Sequence, residues 1–173
     1  MGAIKMHYYL EMTENAAEEL FTTYLAARGG FGDNALQVGF NKRLNNTEQL
    51  EWYEKETKIY DFTQRILAGS ILQLAKQGLS TEFGESKNFP KEPKIEGIPV
   101  AKIILQGRNQ SMHYEEEEYG TGVTKCFQKL EQIDSKFSLQ TSPGKNMSKE
   151  ILEILGWFDY EDYLTTMKDL LGN

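Results

Sequence analysis

With 173 residues, 39% hydrophobic and 12% aromatic, the chain is long enough to build one domain around a real core and too apolar to be a disordered polymer. A formal net charge of −7 argues against a broad phosphate-binding surface, because sequence-independent nucleic-acid affinity comes from clustered Lys and Arg; it leaves room for a small local site. The single cysteine, Cys126, excludes an intrachain disulfide, and no apolar run approaches the roughly 20 residues of a membrane span.

The opening stretch, MGAIKMHYYLEM, lacks the basic start, apolar middle and small-residue exit of a secretory signal. Met6 stands where a myristoylation motif needs Ser or Thr. A cytoplasmic protein without membrane attachment is the expectation. The piece MHYYLEM is ambiguous between strand and helix. From Ala16 the pattern is helical: Ala16, Ala17, Leu20, Phe21, Tyr24 and Leu25 recur at steps of three and four, with Thr13 or Asn15 as a cap and Gly29-Gly30 as a stop. The next segment, RGGFGDNALQVGFNKRLNN, reads as turns. Its glycines do not make a nucleotide cradle, because no strand precedes them and no Gly-Lys-Thr follows.

A second helix is predicted from Thr47 to about Gln77, carried by Tyr53, Tyr60, Phe62, Ile66, Leu67, Leu74 and Ala75. Gly69-Ser70 is a place for a bend, and Gly78 a stop. STEFGESKNFPKEPKIEG reads as a loop, since Pro90 and Pro93 forbid regular helix. Pro99 suits the first turn of a third helix, whose apolar stripe Val100, Ile103, Ile104 leads into the polar run Gly107-Arg108-Asn109-Gln110-Ser111-Met112-His113 and then YEEEEYG. A fourth helix starts near Thr121 with Val123, Cys126, Phe127, Leu130 and Ile133. Ser148 opens a fifth that Gly156 closes, and Asp159 caps a sixth with Tyr160, Tyr163, Leu164, Met167 and Leu170. The expectation is a single domain over residues 1–173, all-α, a bundle of five or six helices.

The polar run is where the chemistry concentrates. Positions four apart on a helix lie nearly in line, so Asn109 and His113 share a face, as do the small residues Gly107 and Ser111, which let another helix approach closely. Arg108 lies five residues from His113, within sweep of its long side chain. Histidine exchanges protons near neutral pH. Arginine offers a planar fork to phosphate oxygens, and asparagine orients a hydroxyl, a phosphate or the imidazole. The set suits metal-free phosphodiester cleavage, although a single copy is sparse for acid plus base.

Arg-x-x-x-x-His with Asn after the Arg, RNQSMH at 108–113, late in a helix of a helical chain, resembles the HEPN superfamily. The resemblance implies a bundle of four or five helices, a homodimer, and a motif lining the cleft between subunits. It implies a metal-independent endoribonuclease of toxin–antitoxin, phage-defence or RNA-processing type, with Arg108, Asn109 and His113 as catalytic residues. RNA and an antitoxin protein would be the partners; no DNA, membrane or cofactor is expected. Some members keep the fold and bind RNA or protein without cutting, which is the alternative function.

Plainer readings stand beside these. Arg108 and His113 also suit surface pairing with the glutamates, and Glu115 to Glu118 suit a solvated helix face. If the helix continues through them, Glu116 and Glu117 favour a protonated His113. His113 with these glutamates has ligand-like chemistry, but no Glu-x-x-His occurs and His7 stands alone, so no metal site is expected. His7 and the aromatic residues read as structural, and Cys126 as core rather than nucleophile.

Overall fold

The computed structural model describes residues 7–116 and 118–172. Among these the chain is all-helical apart from one short strand pair, and it has six α-helices: α1 (Tyr8–Leu44), α2 (Thr47–Phe83), α3 (Val100–Met112), α4 (Thr121–Ile133), α5 (Ser148–Leu155) and α6 (Tyr160–Leu171). No helix among the described residues is long and apolar enough to cross a membrane.

α1 and α2 have 37 residues each, about 55 Å at the helical rise, and pair as a long antiparallel hairpin. Along α1, Tyr9, Leu10, Ala17, Phe21, Tyr24 and Ala27 are buried at helical steps. The first two turns are anchored by an exchange of small and large residues: Gly78 of α2 meets the Tyr9 ring, where an added Cβ would lie 2.9 Å from a ring carbon. Tyr9 Oη donates to the Leu74 carbonyl at 2.8 Å. His7 caps this helix, its Nδ1 accepting from the Tyr9 amide at 3.2 Å, while its Nε2 lies 2.9 Å from Glu82 Oε2. The structural reading of His7 thus stands, and Thr13 is no cap; it donates to the Tyr9 carbonyl inside the helix.

The main departure from the sequence-based expectation is the segment expected to turn after Gly29-Gly30. It is helix through Leu44. Gly30 allows the crossing of α2, because a Cβ there would stand 2.5 Å from the Tyr60 ring, and the hairpin partner supplies the contacts that outweigh glycine's low helix propensity. α1 ends instead at Asn45, which adopts the left-handed conformation (φ 53°). α2 begins at Thr47 as expected, with Asn46 accepting from Gln49 N. It passes Gly78, which packs rather than stops, and ends before Gly84 (φ 70°). Gly69 and Ser70 lie inside it.

After α2 the chain makes a two-stranded antiparallel bridge, β1 (Lys94–Ile95) with β2 (Ile98–Pro99), in register Lys94 to Pro99 and Ile95 to Ile98. Glu96 and Gly97 turn it with φ 47° and 77°, the positive pair that tight hairpins need. Pro99 caps α3, which puts Ala101, Ile103 and Ile104 fully in the core. α4 adds Val123, Cys126, Phe127 and Leu130. Trp157 and Tyr163, edge to face at 5.1 Å, close the bottom of the core with α6. Ser148, Gly156 and Asp159 bound the last two helices as the sequence predicts; Asp159 accepts from Asp162 N at 3.0 Å.

Candidate functional site

α3 is held in a fixed rotation by its small residues. Gly107 meets α5, where an added Cβ would sit 2.8 Å from Ile151 Cγ2. On the α2 side, a Cβ on Gly69 would lie 3.3 Å from Ser111 Oγ. The close approach expected at Gly107 and Ser111 is therefore made, but to two different helices. Buried Gln110 ties the loop before α5 to the same helix: its Nε2 donates to the Lys145 carbonyl at 2.7 Å, and its Oε1 accepts from Met147 N at 2.8 Å. With these three positions turned inward, Asn109 is left half-buried at the edge of an open cavity.

That cavity, about 500 Å³, is walled by Gln106 and Asn109 of α3, by His113 and Glu116 just beyond it, and by Tyr119 and the start of α4. Asn109 and His113 thus share one space, as their spacing predicts. Arg108 is not part of its wall. Its Nε donates to Gln73 Oε1 of α2 at 2.5 Å, and its Nη1 reaches back to Asn109 Oδ1 at 3.3 Å. The guanidinium sits behind the amide and does not sweep toward the imidazole. Gln73, which holds it, lies 35 residues away in sequence and carries no motif.

The helix does not continue through the glutamates. It ends at Met112, with His113 as the cap, so the like-charged run falls past the helix end instead of along its face. Glu116 still finds the imidazole: His113 Nδ1 lies 2.5 Å from Glu116 Oε1, with both side chains more than half exposed. A carboxylate oxygen there can only accept, so the hydrogen of this contact is carried by Nδ1. Glu117 lies outside the described residues. Tyr119 is steadied by donating to the Tyr114 carbonyl at 3.0 Å and accepting from Gln110 at 3.3 Å.

Two other groups weighed from sequence take structural places. Cys126 is fully buried, and burial pushes its thiol up to about 11, far from the thiolate character of a nucleophile. Arg65, unremarked in the sequence, is the best-connected cation among the described residues. It donates to Asp61 Oδ2 at 2.7 Å, to the Asn146 carbonyl at 2.5 Å and to Glu150 Oε2 at 2.8 Å. Its side chain is 12% exposed and that of Glu150 is 7% exposed. Among the described residues no group of three or more His, Cys, Asp or Glu side chains is arranged to hold a metal ion.

No family model, curated protein or solved structure matches this chain.

Proposed function

We propose that the chain is a HEPN-like, metal-independent endoribonuclease, with His113 moving protons, Asn109 orienting the scissile group and Arg108 supplying positive charge. The observation that carries this reading is that Asn109 and His113 open on one cavity of about 500 Å³ while the Arg108 guanidinium bonds the Asn109 amide from behind. The reaction is a transesterification. The ribose 2′-oxygen attacks phosphorus, its proton passes to an imidazole, the bond to the 5′-oxygen breaks, and that oxygen takes a proton from a second imidazole. The products are a 2′,3′-cyclic phosphate and a 5′-hydroxyl. One chain brings only His113 to the cavity, so the second imidazole comes from a second copy. The back of α2 supports such pairing. Trp52, Ile59 and Ile66 recur every seven residues and, with Phe62, are exposed; the next heptad position is Gln73, the residue that holds Arg108.

The test is cleavage of single-stranded RNA in the presence of EDTA. The expected outcome is 2′,3′-cyclic ends, with activity lost at least a hundredfold in Arg108→Ala and in His113→Ala, in line with the removal of a general acid–base or a charge-stabilising group. Cutting that persists unchanged in both variants would overturn the assignment. A second reading, a non-cutting HEPN-like module that binds RNA or protein, is favoured by the Glu116 carboxylate on His113 and the Gln73 amide on Arg108, which occupy both groups. Binding without cleavage by the unaltered chain would select it.

A further inference from the structure

The face of α3 that carries the cavity continues past it. Lys102, Gln106, Asn109 and His113 follow one another at steps of four, three and four, so they form one row along the helix, about 16 Å from end to end. At the Lys102 end the row borders a second cavity of about 330 Å³, whose walls include Lys87, Lys91 and Lys102 together with Pro90 and Pro99. The two cavities adjoin: Ser86, Leu105 and Gln106 belong to both. No carboxylate is among the described residues that wall the second one. Lys87 pairs with Glu85 at 2.8 Å, whereas Lys91 and Lys102 have no carboxylate within 4.0 Å among the described residues. In a chain of net charge −7, a lysine-lined cavity free of acids, joined end to end with the His113 cavity, is a local reversal of sign.

We propose that this groove is the track of a single RNA strand, with Lys91 and Lys102 holding a phosphate farther along the strand from the one at His113. The inference rests on the reading of the His113 cavity as an RNA site and adds to it a binding subsite and a direction along α3. The chemistry fits a strand rather than a duplex. The lysines take phosphates, the Gln106 and Asn109 amides offer donors and acceptors to exposed base edges, and Pro90 and Pro99 add apolar surface to the wall. The acidic remainder of the surface keeps other RNA contacts weak, so affinity concentrates here.

The experiment uses the whole chain and a fluorescein-labelled 2′-O-methyl oligouridine of about six nucleotides, which lacks the attacking hydroxyl and cannot be cut. Binding is followed by anisotropy across a salt series. Lys102→Glu and Lys91→Glu together are expected to weaken binding about tenfold or more and to flatten the log–log salt dependence by about 0.7, the value for one lost phosphate contact on a single strand. Lys58→Glu, a single reversal of the same kind on the far part of α2, is expected to leave both unchanged. Circular dichroism checks that all variants are folded. Equal loss in Lys58→Glu, no binding by the unaltered chain, or equal displacement of the probe by an oligoglutamate peptide would each overturn the track. Cleavage of ordinary RNA, assayed in parallel, separates the two readings. Cutting with no lysine effect sinks the track alone. Lysine-dependent binding with no cutting sinks the ribonuclease reading and leaves the track.

Discussion

Asn109 and His113 were legible as a pair because helical winding alone sets their bearing. Arg108 was not, because its partner Gln73 comes from a distant helix and glutamine at that position has no sequence signature. Glu116 was expected to act on His113 through a continuing helix. The two are in contact, but across a chain that has left the helix, which follows from short sequence separation more than from periodicity. At the same scale, the core contains a group that sequence could not flag. The Tyr163 hydroxyl is buried and has no hydrogen-bond partner among the described residues, while its ring packs on Trp157 at 5.1 Å and Phe21 at 5.6 Å. Burial without a partner raises its phenol well above the ordinary value. Tyr163→Phe keeps the ring and deletes the orphaned group, so it is expected to raise stability by about 1 kcal/mol, read as a higher midpoint in thermal or urea denaturation.

At the scale of elements, α3, α5 and α6 followed from the residues at their ends, because Pro99, Asp159 and Gly156 act within a few residues of themselves, and α4 followed from its apolar stripe. The second half of α1 did not. Its glycines and asparagines are turn formers locally, and the helix persists only because α2 lies alongside. The same helices give glycine substitutions opposite signs. Gly32 is exposed within α1 and no described atom lies within 4 Å of an added Cβ, so Gly32→Ala is expected to stabilise by about 0.5–1 kcal/mol through helix propensity. Gly107 has Ile151 at 2.8 Å, and Ile151 is fully buried. Gly107→Ala is expected to lose about 1–2 kcal/mol, overpacking outweighing the same propensity gain. Thermal melts of the two single variants, moving in opposite directions by a few degrees, check the pair.

Across the whole molecule, the long hairpin and the short-helix layer are joined by charge as well as by core. Arg65 and Asp61 of α2 meet Glu150 and Lys149 of α5, with Lys149 Nζ 2.5 Å from Asp61 Oδ1 and Lys145 Nζ 2.8 Å from Glu150 Oε1. Burial pushes the Glu150 carboxyl up, but hydrogen bonds from Arg65 and Lys145 outweigh it and hold the group below its ordinary value; Asp61 is held down in the same way by Arg65 and Lys149. A carboxyl depressed in the folded state gives stability that is present above its unfolded value and lost as pH falls through its folded one. The melting temperature is therefore expected to drop as pH falls below about 4.5, with Glu150→Gln losing about 3 kcal/mol at neutral pH and showing a shallower acid slope. Wedged between Gly69 on one side and Ile151 on the other, α3 cannot turn about its own axis without a collision of packed atoms. The Lys102-to-His113 row thus keeps its spacing, and any adjustment on binding would fall on the ligand, which a flexible strand makes at a cost in conformational entropy and a rigid rod at a cost in strain.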